Sequence, residues 1–164
     1  ASDVYKRQGR SNMTITYRSM IPLDIPVIAS MEKEIFKDDP WSIGQFKEEV
    51  ANNGITRHYL VACDSSHRII GWAGAMCATE GGDTDVLTIA VDPDFRLRGI
   101  ARHMLTSLID WAYTKNSPTI FLEVEKNNQP AQALYISEGF EIISLRPDYY
   151  GAGLDALVMS KVLT

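Results

Sequence analysis

Hydrophobic positions along the chain change period several times, and each change marks an element. Residues 14–19 (TITYRS) alternate apolar and polar side chains, the period of a short strand. From Pro22 to about Phe36 the repeat becomes helical, with Ile25, Ile28 and Ala29, then Glu32 and Phe36, on one stripe. The tract KDDP ends it. Ser42 and Gln45 form the S-x-x-Q pattern of a capping box, predicting a second short helix to about Val50 that Asn52-Asn53-Gly54 closes. Residues 58–63 (HYLVAC) and 68–78 (RIIGWAGAMCA) predict strands joined as a hairpin by Asp64-Ser65-Ser66-His67. A turn at Glu80-Gly81-Gly82-Asp83 leads into a third strand, 84–91 (TDVLTIAV). Helical spacing returns over 99–114, with Ile100, Met104, Leu105, Leu108, Ile109 and Trp111 expected inside, until Asn116-Ser117-Pro118 breaks it. A strand at 119–125 (TIFLEVE) follows. Next comes a helix over 131–138 with Pro130 in its first turn and Gly139 as its cap, then strands near 140–146 and 154–162.

The resulting order, β-α-α-β-β-β-α-β-α-β-β, is that of an α/β protein. The unit at 84–125 is expected to be a right-handed βαβ crossover, in a mixed sheet with helices on both faces.

Composition narrows the function classes. At 164 residues the chain suffices for one domain with a core, and 45% hydrophobic with 23% charged residues is ordinary for a globular protein. No apolar run approaches the roughly 18 residues of a membrane span, and the N-terminus has no apolar signal-like region, so the expected location is the cytoplasm with no membrane partner. The first twelve residues, ASDVYKRQGRSN, lack periodicity and read as a non-native or disordered leader, with Met13 as the start of a single domain, 13–164. The formal net charge is −5. The leader holds three of the 16 basic and one of the 21 acidic residues, so the charge from Met13 onward is −7. An acidic domain is a poor nucleic-acid binder and suits a cationic or amine-bearing partner. Cys63 and Cys77 have no metal-ligand spacing and are expected to be buried free thiols; no metal site is expected.

The chemistry concentrates at VDPDFRLRGIARHML, residues 91–105. A strand ends at Val91, a turn follows, and Gly99 opens a helix. The first amides of a helix lack internal partners and its dipole is positive there, so an anion can approach a backbone that has no Cβ in the way. Arg98 and Arg102 can add charge around a phosphate. Neither a Walker A loop nor a GxGxxG fingerprint is present. Taken alone, the stretch fits a pyrophosphate cradle or a glycine-opened core helix with surface arginines.

VDPDFRLRGIA resembles the acetyl-CoA motif of the GNAT superfamily of N-acetyltransferases, Arg/Gln-x-x-Gly-x-Gly/Ala, with Arg96, Gly99 and Ala101 in the consensus places. A second stretch, LEVEKNNQPAQALYISEGF at 122–140, is similar to that family's other signature through Asn128, Ala131, Leu134, Tyr135, Gly139 and Phe140. Pro40-Trp41-Ser42, Ile89-Ala90-Val91-Asp92-Pro93, Leu122-Glu123-Val124, Tyr149-Tyr150 and Asp155-Ala156 resemble the bacterial ribosomal-protein-alanine N-acetyltransferases within it. The resemblance spans roughly 14–162. It implies the GNAT fold, a mostly antiparallel mixed sheet of six to seven strands. It also implies acetyl-CoA as co-substrate and a protein N-terminus, that of a small-subunit ribosomal protein, as acceptor.

Site residues follow from the same resemblance. Acetyl-CoA would be held by the strand Ile89, Ala90 and Val91, by the loop Arg96, Leu97, Arg98, Gly99, Ile100, Ala101 and Arg102, and by Asn128 and Tyr135. Glu123 would be the general base that takes the amine's proton, with Glu125 on the same strand face as a less favoured choice. Burial of Glu123 in mid-strand would raise its pKa towards the working range. Tyr135 would be the acid beside the departing thiolate. Trp41, Tyr149 and Tyr150 would line the acceptor groove. Departures at Thr88, Asp148, Gly151-Ala152-Gly153 and Leu154 cluster on the acceptor side. A small amine or an internal lysine therefore stays open as acceptor, as does a non-catalytic coenzyme A sensor.

Overall fold

In a computed structural model of the chain, residues 14–164 are described, so the expected leader and the start at Met13 lie outside them. The elements occur in the expected order: β1 (Thr16–Ser19), α1 (Ile25–Ile35), α2 (Ile43–Ala51), β2 (Arg57–Cys63), β3 (Ile69–Met76), β4 (Thr84–Val91), α3 (Ile100–Thr114), β5 (Thr119–Glu125), α4 (Gln129–Ser137), β6 (Glu141–Arg146) and β7 (Ala156–Val162). Seven strands form one sheet in the order β1-β2-β3-β4-β5-β7-β6. Every neighbouring pair is antiparallel except β4 and β5, which are parallel and joined through α3.

Strand alternation divides the apolar side chains between the faces. Leu60 and Ala62 of β2 join a core with α3, β5 and β7, whereas Tyr59, Val61 and Cys63 join a second core with α1 and α2. Both cysteines are buried and free.

Three local expectations need correction. The first helix starts at Ile25, not Pro22, because Pro22–Asp24 winds as a 3-10 turn. There the buried Asp24 carboxylate accepts the Ile21 amide at 2.9 Å and both Arg18 guanidinium nitrogens at 2.8 Å. Trp111 is only half-buried, and Ala112 takes the interior position of that turn. The Trp111 ring stacks on His58, with centroids 5.6 Å apart, and carries the Lys115 ammonium 5.5 Å from its centre. α4 starts one residue earlier than expected, at Gln129, where the Asn128 side chain caps it; Pro130 lies in its first turn and Gly139, with φ of 92°, follows its end, both as expected.

Two irregularities distort the middle of the sheet. Gly74 lies directly across from Tyr59, and a Cβ there would fall 2.1 Å from the Tyr59 ring. Between Gly74↔Thr88 and Ala75↔Val86 the β3–β4 register slips, so Leu87 is an extra residue on β4. Such a bulge bends its strand and increases its twist.

Candidate active site

Beyond the bulge β4 no longer follows β5. Their parallel pairing consists of Thr84↔Ile120 and Asp85↔Phe121. The two strands then part towards their carboxyl ends, leaving the β5-facing edge of β4 from Val86 onward without a ladder. Backbone groups on such an edge need a partner, and an extended ligand can supply one. A cleft of about 950 Å³ fills the parting, lined by both strands, the end of α1, the start of α4 and the β6–β7 connection.

Sequence-predicted residues meet in this cleft from four directions. Glu123 projects from β5 while Leu122 and Val124 turn into the core. Glu125 follows on the same lining. Tyr135 comes from α4, which is fastened at both ends: buried Gln132 donates to the carbonyls of Glu125 (3.2 Å) and Lys126 (2.7 Å), and Lys161 donates to the Glu138 carbonyl (2.9 Å). Burial pushes the Tyr135 phenol up to about 12, so it holds its proton throughout the neutral range. Trp41, Ile89, Asn128, Tyr149 and Tyr150 also line the cleft. Asn128 Oδ1 caps α4 by accepting the Ala131 amide at 3.2 Å. The Tyr150 phenol is shifted upward, by burial first and then by the charge of Glu123.

Glu123 does not sit in the desolvated place expected for it. It is exposed to the cleft, and Arg146 reaches over β7 to donate to it at 3.2 Å. The same guanidinium lies 4.4 Å from the Tyr149 ring centre.

The expected cradle lies past the end of β4. Asp92 opens a 3-10 turn at Pro93–Phe95, its carboxylate accepting the Asp94 amide at 2.9 Å. Leu97 and Gly99 both have left-handed backbone, with φ of 63° and 78°, and Gly99 is the N-cap of α3. A Cβ on Gly99 would meet nothing within 4 Å, which leaves open space beside amides that have no acceptor in the helix. That geometry fits an anionic group held by backbone. The side chains divide: Leu97 is fully exposed, Ile100 is buried in the core and Ala101 packs against it. Ala90 and Val91 are buried as well. Arg98 stacks its guanidinium 5.2 Å from the Phe95 ring centre. Arg102 pairs with the Glu138 carboxylate, so its charge is shared with α4. Arg96 is exposed on the same loop. Gly99 and Arg102 border a second hollow, about 520 Å³, along the outer face of α3.

Four further acids line the cleft: Glu32, Asp38, Asp39 and Asp85. Asp85 is shifted upward by burial, then by Glu123 and Asp83. Glu32 is 3% exposed, and burial pushes its carboxyl up to about 7. A signal for Glu32 existed in the sequence, since a carboxylate occupies the apolar stripe of a helix beside Ile25, Ile28 and Ala29. Among the described residues, no group of three or more His, Cys, Asp or Glu could hold a metal ion, and no helix is long and apolar enough to cross a membrane.

Comparison with known proteins yields consistent matches. The sequence profile of the acetyltransferase (GNAT) family matches residues 27–140. An uncharacterized protein of Mycobacterium leprae is 38% identical over 154 residues, 92% of this chain, yet the chain spans only 41% of that protein's length. N-alpha-acetyltransferase RimI of Mycobacterium tuberculosis is 34% identical over 151 residues, 90% of this chain and 92% of its own. Among solved structures, the ribosomal-protein-S18-alanine N-acetyltransferase from Escherichia coli superposes with a TM-score of 0.79 at 27% identity, covering 92% of this chain and 95% of that one.

Proposed function

The chain belongs to the acetyltransferase (GNAT) family, and from that premise we propose that it moves acetyl from acetyl-CoA to the N-terminal α-amine of a protein, the acceptor being the alanine terminus of a small-subunit ribosomal protein. One observation carries the reading. Glu123 and Tyr135 line a single cleft at the point where β4 and β5 part, with the glycine-opened start of α3 just beyond it.

Acetyl-CoA brings the acetyl group as a thioester. The Leu97–Ala101 amides would hold its pyrophosphate, with Arg96 and Arg98 adding charge, and the free edge of β4 from Ile89 to Val91 would pair with its extended arm. Asn128, at the start of α4, would bind the arm from the other wall. Trp41, Tyr149 and Tyr150 would enclose the acceptor's first residue.

An α-ammonium, with a pKa near 8, has no lone pair to attack with. Glu123 takes its proton, and Arg146 orients the carboxylate for that transfer. The amine nitrogen then bonds the acetyl carbon and sheds its second proton to water while the carbon–sulfur bond breaks. Tyr135, still protonated, donates a hydrogen bond to the departing sulfur and delivers the proton that leaves a thiol. Glu123 later returns its proton to water and Tyr135 regains one from it. No covalent enzyme intermediate is needed, consistent with two buried cysteines away from the cleft lining. The acidic lining, with Asp38, Asp39 and Asp85 beside the two strand glutamates, favours a cationic acceptor over an anionic one.

Two basic peptides test the proposal, one with a free N-terminal alanine and one with a blocked N-terminus and internal lysines. Thiol release is followed, and mass spectrometry locates the acetyl group. Acetylation of the first alone is the expected result. Acetylation of the second would move the activity to lysine side chains, and acetyl-CoA binding without transfer to either peptide would turn the reading towards a small amine or a sensor.

A further inference from the structure

Glu32 has no part in the proposed acetyl transfer, yet it is the most deeply buried carboxylate on the acceptor side of the cleft. A buried charge is costly unless something holds it. One oxygen, Oε1, accepts the Trp41 amide at 3.3 Å. Its other oxygen, Oε2, is buried with no partner, and so is the Trp72 indole N–H of β3. The indole lies close enough to oppose the upward shift that burial and Asp39 impose on the carboxyl, but the two stop short of a hydrogen bond. An orphaned acceptor therefore faces an orphaned donor across the α1–β3 contact.

What this carboxylate holds is a loop. Residues 37–41 connect α1 to α2, and among the described residues their one hydrogen bond to another element is Trp41 N–H to Glu32. The Trp41 ring leans on buried Phe46 of α2, with centroids 5.3 Å apart and planes at 52°, and its remaining face borders the cleft. Asp38 and Asp39 of the same loop border it too. The position of this wall thus depends on one buried tether.

Resting on the reading that the cleft takes a peptide N-terminus, we propose that Glu32 is a positioning residue, which ties the Trp41 loop to α1 and thereby sets the wall that the acceptor's first side chain meets. It touches neither the amine nor the coenzyme. Loss of the tether should loosen acceptor binding and selectivity, leaving coenzyme binding and the chemical step in place.

The experiment compares the full chain with Glu32→Gln and Glu32→Ala on two peptides that differ only in their first residue, alanine or leucine. Acetyl-CoA affinity is measured in parallel by calorimetry. In Glu32→Ala the KM for the alanine peptide should rise about tenfold, with kcat within about threefold and coenzyme affinity unchanged. Preference for alanine over leucine should fall. Glu32→Gln keeps a carbonyl oxygen for Trp41 but sets an NH₂ group against the Trp72 donor, so a smaller rise of about threefold is expected. Hydrogen exchange at the Trp41 amide, read by NMR, should quicken about tenfold in Glu32→Ala whether or not turnover occurs. Unchanged KM and selectivity in folded variants would overturn the proposal, as would unchanged exchange at Trp41. If Glu32→Ala does not fold, the near-isosteric Glu32→Gln decides by the same readings. If the parent acetylates neither peptide, the peptide-acceptor reading fails, and Trp41 exchange still decides whether the tether exists.

Discussion

Glu123 and Tyr135 carry different parts of the proposed chemistry, so their variants should fail differently. Glu123→Gln is expected to lower kcat/KM for the peptide about 100-fold, read from initial rates of thiol release. Tyr135→Phe should lower kcat by a similar factor with little change in peptide KM, because the phenol engages sulfur only as the bond breaks. Glu32 gives a stability prediction whose sign is unusual for a carboxylate. Its pKa is raised from an ordinary 4.5 to about 7, so the folded chain keeps a proton that the unfolded chain releases. Stability from this group is complete below pH 4.5 and lost as pH rises through about 7, a total on the order of 3 kcal/mol. Denaturation at pH 5 and pH 8 should therefore show Glu32→Gln gaining on the parent at the higher pH. At this scale the sequence was partly legible. The glutamate and tyrosine of the second signature line the cleft as expected, because strand and helix periods set their directions. The partners of Glu123 and Glu32, Arg146 and Trp41, arrive from elsewhere in the chain, and no local pattern announces them.

Elements translate these residues into stability costs. Gly99→Ala would force a side chain into a left-handed N-cap that has ample space, so the expected loss is the backbone cost alone, about 1–2 kcal/mol by urea denaturation. Acetyl-CoA affinity should fall with it, since the same conformation aims the amides. Gly74→Ala is a different case: its backbone is ordinary strand, but the new methyl would strike the buried Tyr59 ring, and a loss of roughly 1–3 kcal/mol or more is expected with coenzyme affinity retained. Helices and strands were readable to within a few residues because each carries its own period. Side-chain capping was readable only where the pattern is local, as at Ser42 and Gln45, whose reciprocal bonds of 3.1 and 2.7 Å form the expected box. Asp24 delays α1 through a bond to Arg18 on a strand, which helical periodicity cannot report.

In the whole molecule, the proposed site rests on a failure of pairing. The mixed class of the sheet follows from the alternation of elements, but the insertion of β7 between β5 and β6 and the parting of β4 from β5 beside the extra residue Leu87 lie in runs that read as unbroken strands. A ligand that bridges the parted strands should stabilise the fold as a unit. At acetyl-CoA concentrations about 100 times Kd the gain is about 2.7 kcal/mol, an increase in Tm of roughly 5–10 °C, readable by calorimetry. No increase would mean that the coenzyme does not bind this fold.

The parting has a further consequence for how the molecule could be taken to pieces. Among the described residues, the chain crosses from the β1–β4 side to the β5–β7 side once, through α3 and the turn at Asn116-Ser117-Pro118. A single cut in that turn would yield two polypeptides, one carrying the proposed phosphate cradle and the other carrying Glu123 and Tyr135. The smaller one lacks an interior of its own, because Ile120, Leu122 and Met159 pack in the same core as α3. It would acquire structure on docking, and a small molecule spanning the seam would act as the glue, making the pair a two-fragment reporter of the coenzyme.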